Sequence, residues 1–241
     1  MPGPGLLLLA MVICTVALSA AAAAAVVCPG PGCVADPVKT SLTGVLLGQV
    51  VIAVFGVLSV GAEYSSAMMS TTLIATPRRG AVLLAKALTI AGPVLVAGGI
   101  AVGGSMLAGE LLLPGGTWAG HRPWEVSDPS VIRAGVGTVL YLVLVAVLGL
   151  GIGTVVRSSA AAIGIVLGLL FVLPILAGVV TDPDWRRLLE QISPSTAGLA
   201  IQATTDLGGL SISPWAGLGV LALWAVAALA LGAVILRFRD A

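Results

Sequence analysis

The sequence predicts an all-α integral membrane protein with six transmembrane helices, and three observations carry that prediction. First, hydrophobic residues fill 59% of the 241 positions before the 32 glycines are counted, while charged residues fill only 9%. A soluble domain carries about 25% charged side chains, so this chain has too little polar surface to coat a globule in water. Second, the hydrophobic residues gather into six runs that match the roughly 20 residues a helix needs to cross about 30 Å of hydrocarbon. Third, the runs lack period-2 alternation and are far longer than the roughly ten-residue strands of a membrane barrel.

The first span covers about residues 4–27. Its Ala20–Ala25 tract offers small residues for signal cleavage. Against cleavage, the leader MPGPG has no Lys or Arg, and the apolar run exceeds the usual 7–15 or so residues of a signal core. The second span covers about 42–62 and the third about 87–107. The fourth covers about 131–156, with Arg133 in its first turn, the fifth about 160–180 and the sixth about 215–236. The whole chain is therefore expected to form one transmembrane domain, residues 1–241, multi-pass in the plasma (inner) membrane.

Both termini are expected on the cytoplasmic side. That topology puts Arg78, Arg79, Lys86, Arg157, Arg237 and Arg239 inside, and Lys39, Arg122, Arg133, Arg186 and Arg187 outside. The bias in number is small, but the inside residues flank span ends directly, which is where positive charge sets orientation. Several outside ones share long loops with Glu110, Glu125 and Asp128, or with Asp182, Asp184, Glu190 and Asp206. The same topology exposes Cys28-Pro-Gly-Pro-Gly-Cys33 to the outside, where a turn-prone spacer makes Cys28 and Cys33 either a small disulfide loop or two free thiols. Cys14 falls within the first span.

Composition excludes several functions. A net charge of +1 gives nucleic-acid binding no electrostatic support. One histidine, His121, and three separated cysteines do not make a usual metal site, and no cofactor is expected. Lys39 and Lys86, the only lysines, lie outside any G-x-x-x-x-G-K-[ST] loop, so ATP hydrolysis by that route is not available to this chain. The central parts of all six spans contain no Asp, Glu, Lys, Arg or His. That disfavours a proton-coupled pump or an intramembrane protease, both of which need ionisable groups at depth.

Two prolines interrupt spans, Pro93 in the third and Pro174 in the fifth. They do not occupy corresponding helices of a three-plus-three repeat, so they read as packing kinks rather than a paired binding site. Gly149, Gly151 and Gly153 crowd the end of the fourth span, and Gly164 and Gly168 form a G-x-x-x-G in the fifth. Such spacing lets backbones approach closely, within one chain or between two.

The most distinctive segment joins the second and third spans, from Glu63 to Gly80. As a helix it places Tyr64, Ala67, Met68, Thr71 and Ala75 on one face. Pro77 should stop that helix near Thr76, leaving Arg78 and Arg79 at the bend. Met68 and Met69 suit an adaptable protein contact. The plainer alternative is a loop whose arginines enforce topology and meet anionic headgroups.

The run Glu63–Lys86 resembles a stretch of actinobacterial permeases of the type-2 ATP-binding-cassette (ABC) exporters, whose pattern is close to E-Y-S-T-G-x-I-R-T-T-L-A-A-x-P-R-R followed by A-K at the start of the third helix. Glu63, Tyr64, Ser65, Thr71, Thr72, Leu73, Ala75, Pro77, Arg78, Arg79, Ala85 and Lys86 carry the likeness. Ser193-Pro194-Ser195-Thr196-Ala197-Gly198 is similar to a softer L-P-S-x-A-G segment before the last span. The chain departs from the family at Ala67 and Ser70, where Gly and Arg are common. It also has MPGPG where members carry a basic amphipathic segment.

The resemblance implies a noncatalytic permease subunit that forms the translocation path. A separate cytoplasmic ABC ATPase and a second permease copy, the same chain or a related one, are the implied protein partners, with lipid around them. It further implies a short coupling helix between spans two and three. In it Arg78 and Arg79 make polar contacts with the ATPase, Tyr64 and Met68 make apolar ones, and Glu63 pairs with a base or caps the segment. Thr71, Thr72 and Pro77 belong to the same loop. The segment Asp182–Pro214 is implied to cover the exit path. Its alternative is an interfacial helix with Trp185, Leu188 and Leu189 as its apolar edge. The rival for the whole chain is a membrane-resident interaction or immunity protein without a transport path.

Overall fold

The computed structural model describes residues 4–26, 36–65, 79–113, 125, 127–156 and 158–239. Among them every regular element is a helix. The elements are α1 (Pro4–Ala25), α2 (Pro37–Ser41), α3 (Val45–Ser65), α4 (Arg79–Leu112), α5 (Pro129–Val156), α6 (Ser159–Val179), α7 (Pro183–Ile192), α8 (Pro194–Leu199) and α9 (Pro214–Arg239). Two 3-10 turns, Ala200–Gln202 and Leu207–Gly209, lie between α8 and α9. Among the described residues five helices are long and apolar enough to cross a membrane, namely α1, α4, α5, α6 and α9. The protein is a helical, multi-pass membrane protein. The second run of the sequence is α3, whose apolar part with described side chains, Val45–Val60, is shorter.

The helix starts are written in the sequence. Asp36-Pro37, Asp128-Pro129, Asp182-Pro183, Ser193-Pro194 and Ser213-Pro214 each precede a helix. Proline at the first helical position loses no needed hydrogen bond, and the residue before it is held extended. The aspartates add side-chain caps. Asp36 accepts from the Val38 and Lys39 amides, Asp128 from Ser130 at 2.8 Å, and Asp182 from Asp184 and Trp185 at 2.9 and 3.3 Å. Pro93 and Pro174 sit inside α4 and α6 without ending either helix. α4 is the longest element, 34 residues or about 50 Å, and begins eight residues before the span expected at residue 87.

α5 is the hub of the bundle. It packs on α3, α4, α6 and α9, while α1 closes the ring against α3 and α4. Glycines set the close crossings. A Cβ on Gly56 of α3 would overlap the Ala146 carbonyl of α5, and one on Gly149 would come within 2.7 Å of the Ala53 carbonyl. Gly153 approaches Val57, and Gly151 approaches Ala228 of α9 at 2.8 Å. On the other side of α3, Gly44 and Gly48 lie against Thr15 and Ser19 of α1, where the Ser19 hydroxyl accepts the Gly44 amide at 3.0 Å. The crowded glycines of the fourth span thus pack within the chain. Gly164 and Gly168 do not: a Cβ on either meets nothing within 4 Å.

Neighbouring contacts fix the direction of each helix. Gln49, Gly56 and Val57 of α3 meet Tyr141, Ala146 and Gly153 of α5, so those two helices run parallel. Gly98 of α4 meets Leu142, and Gly135 meets Met106, so α4 and α5 run antiparallel. α2, the start of α3, the end of α6 and the start of α9 therefore share one end of the bundle, and the end of α3 and the start of α4 lie at the other.

Candidate functional site: a re-entrant hairpin and the opposite loop

The segment after α6 is partly helical, as the sequence suggests, but it does not stay at the bundle end. α7 starts beside the end of α6 and runs back along it. At its far end the Ile192 carbonyl accepts the Trp224 indole N–H at 3.0 Å, ten residues into α9. In α8 the Ser195 hydroxyl donates to the Leu170 carbonyl at 2.5 Å, nine residues before α6 ends. At 1.5 Å per residue both anchors lie about 13–15 Å down their helices, near the middle of α6. The chain then climbs α5 one turn at a time. Gly198 packs on the Tyr141 ring, Ile201 fills the notch at Gly137, and the Ala203 carbonyl meets Arg133.

The hairpin is held by packing as well as by hydrogen bonds. Pro194, Ser195, Ala197 and Gly198 are buried, and a Cβ on Gly217 would overlap the Ala197 carbonyl. Only a glycine there lets α8 sit on the first turn of α9. Gln191 ties α7 to the Ser211 carbonyl at 2.7 Å. Irregular backbone at membrane depth is tolerated where it is buried in protein or lines a wet cavity, and α8 meets the first condition. α7 meets it less well. Trp185 is 62% exposed, and Arg186 and Glu190 pair along its surface at 3.1 Å. α7 thus carries the Arg186–Glu190 pair between the end of α6 and the level of the Ile192–Trp224 bond.

At its upper end the hairpin is latched to the α1–α3 connection. The Asp36 carboxylate accepts from the Val38, Lys39, Thr204 and Thr205 amides and from the Thr204 hydroxyl, at 2.5–3.1 Å. Partial burial pushes this carboxyl up, but the bonds from Thr204, Lys39 and Thr205 outweigh it and hold the group below its ordinary value.

In the core, Tyr141 of α5 donates its hydroxyl to the Gln49 side-chain carbonyl of α3, and both residues are buried. Two polar groups in an apolar bundle satisfy each other and fix the register of these helices. The sequence signal was available: Gln49 is the only amide side chain within the six apolar runs. Tyr141→Phe is expected to cost about 1–2 kcal/mol by leaving Gln49 unpaired. Adding Gln49→Leu should recover most of that loss, read as the melting temperature in detergent.

Of the residues expected to couple to an ATPase, Glu63 and Tyr64 belong to the last turns of α3, and Arg79 opens α4; for these three the backbone alone is described. Met68, Thr71, Thr72, Pro77 and Arg78 lie outside the described residues, and so do Cys28 and Cys33. Among the described residues no cluster of His, Cys, Asp or Glu is arranged to hold a metal. No family model matches the chain, and no curated protein matches it.

Proposed function

We propose that this protein is the noncatalytic permease subunit of an ABC exporter. It crosses the plasma membrane six times, with both termini cytoplasmic, and works with a separate cytoplasmic ATPase and a second permease copy. The observation that carries this reading is the run Glu63–Lys86, with its Glu-Tyr-Ser start, Thr71-Thr72-Leu73 centre and Pro77-Arg78-Arg79 end. The architecture supports it. The run is continuous in sequence with the end of α3 and the start of α4, which lie at the bundle end opposite Asp36 and α2, so a push on it acts directly on two long helices. ATP-driven closure of two ATPase subunits would draw two such loops together and tilt those helices. The hairpin at the far end is then the element through which cargo passes or is held back.

The test is recovery of the partner. Tagged protein is extracted from native membranes in mild detergent, and bound chains are identified by mass spectrometry. A P-loop ATPase near one-to-one is expected, and Arg78→Glu with Arg79→Glu should remove it from a normally inserted protein. If crosslinked, intact protein yields no ATPase, the exporter reading fails. A membrane interaction protein then takes its place.

A further inference from the structure

Pro174 lies within α6, and a proline there has a consequence four residues back. An α-helix satisfies the carbonyl of each residue with the N–H of the residue four further on. Proline has no N–H, and its ring crowds the carbonyl four residues before it. For Pro174 that carbonyl belongs to Leu170, the one position in the body of α6 whose helical donor is removed by proline. Leu170 is 1% exposed, so the gap is closed to water, and an unmet carbonyl in such surroundings is costly.

The missing donor comes from the hairpin. Ser195 of α8 is 3% exposed, and its hydroxyl donates to the Leu170 carbonyl at 2.5 Å. Ser195 stands in the first turn of α8, directly after Pro194, where no carbonyl of its own helix lies behind it to take the hydroxyl. It meets the carbonyl that Pro174 leaves free rather than one already engaged within α6. Pro93 in α4 is the contrast. The carbonyl it frees belongs to Thr89, and Thr89, Gly92 and Pro93 are all exposed, so that gap lies on an open face.

We propose that Pro174 is the docking point of the hairpin: by removing the helical donor of Leu170 it creates the acceptor that Ser195 closes, and this link locks α8 against α6. Freed backbone groups beside a proline in a membrane helix are commonly met by a neighbouring hydroxyl. Here the hydroxyl belongs to the element that has to be held, so α6 is complete only with the hairpin in place. Alanine at position 174 would let α6 complete itself, and the hairpin would lose that hold. The lock does not depend on the exporter reading.

The test is a double-mutant cycle on the full chain in detergent, read as amide hydrogen exchange in peptides spanning residues 195–203. Pro174→Ala and Ser195→Ala should each speed exchange there about tenfold, the size expected when one buried hydrogen bond no longer holds the segment. The double variant should exchange no faster than Pro174→Ala alone, because both changes remove the same link. Pro93→Ala restores an N–H in α4 instead and should exchange as the wild type does. The proposal is overturned if either Pro174→Ala or Ser195→Ala leaves exchange in the hairpin unchanged, or if their effects multiply in the double variant. It is equally overturned if Pro93→Ala speeds exchange as much as Pro174→Ala. Pro174→Leu supplies the same N–H and must repeat the alanine result, so the outcome does not hinge on the folding of one variant.

Discussion

Gly56→Leu is expected to abolish the folded bundle, whereas Gly164→Leu should leave it standing. At Gly56 the first added carbon already overlaps the Ala146 carbonyl, and the obstacle is backbone of the hub helix α5, which cannot rotate aside. Separating α3 from α5 would also open the contacts at Gly149 and Gly153 and break the Tyr141–Gln49 bond. A loss of about 3 kcal/mol or more follows from overpacking of this kind. At Gly164 nothing lies within 4 Å of the added carbon, so the change should stay within about 0.5 kcal/mol. Size-exclusion profiles and melting curves in detergent distinguish the two. Equal behaviour of the two variants would refute the crossing of α3 and α5 described above.

Asp36→Ala is the second large effect. It removes the N-cap of α2, about 1 kcal/mol, together with the charge-assisted bonds to Thr204 and Thr205, for a total of about 3 kcal/mol. The same carboxylate makes stability depend on pH. Its folded-state value is held below the ordinary one of 3.8, so its contribution is complete above that value and fades as the pH falls through the folded-state value. Asp36→Asn should therefore flatten the acid limb of a Tm-against-pH curve, with the largest difference from the wild type near neutral pH. Parallel acid limbs in the two proteins would mean that the latch carries no net stability. Limited proteolysis gives an independent reading, since cleavage between Leu199 and Pro214 should accelerate in either variant.

Much of the fold was legible in hydropathy. The helices α1, α5, α6 and α9 begin and end within about three residues of the apolar runs, because a membrane span is selected for length and apolar character alone. α4 begins earlier and ends later than its run, because the apolar stretch continues on both sides of Lys86 and past Leu107, from Val82 to Leu112. What hydropathy could not show was pairing. Of the two glycine clusters read from spacing, Gly149, Gly151 and Gly153 do form crossings while Gly164 and Gly168 meet nothing within 4 Å, and further crossings use Gly44, Gly48 and Gly56. A glycine's spacing says that a backbone could approach, not which one does. The hairpin was hidden for a related reason. Asp182–Pro214 has the polarity of a surface loop, and its descent rests on two long-range bonds, Trp224 to Ile192 and Ser195 to Leu170. The site residues drawn from Glu63–Arg79 came from motif likeness, and their side chains fall outside what the structure describes.

The hairpin also constrains how the protein is made. Residues 180–213 are too polar to leave a translocation channel sideways into lipid on their own, and both limbs are held by helices that flank them in sequence. The Ile192 carbonyl waits for an indole 32 residues downstream, so α8 has no complete cradle until α9 has been synthesised and has crossed. Biogenesis must therefore run out of register with the gene. α6 and α9 enter first, the intervening loop is left on one face, and it is drawn in afterwards as the last piece of the bundle to settle. A ribosome stalled just before α9 would hold a nascent chain in which Ile192 and Ala197 still lack Trp224 and Gly217.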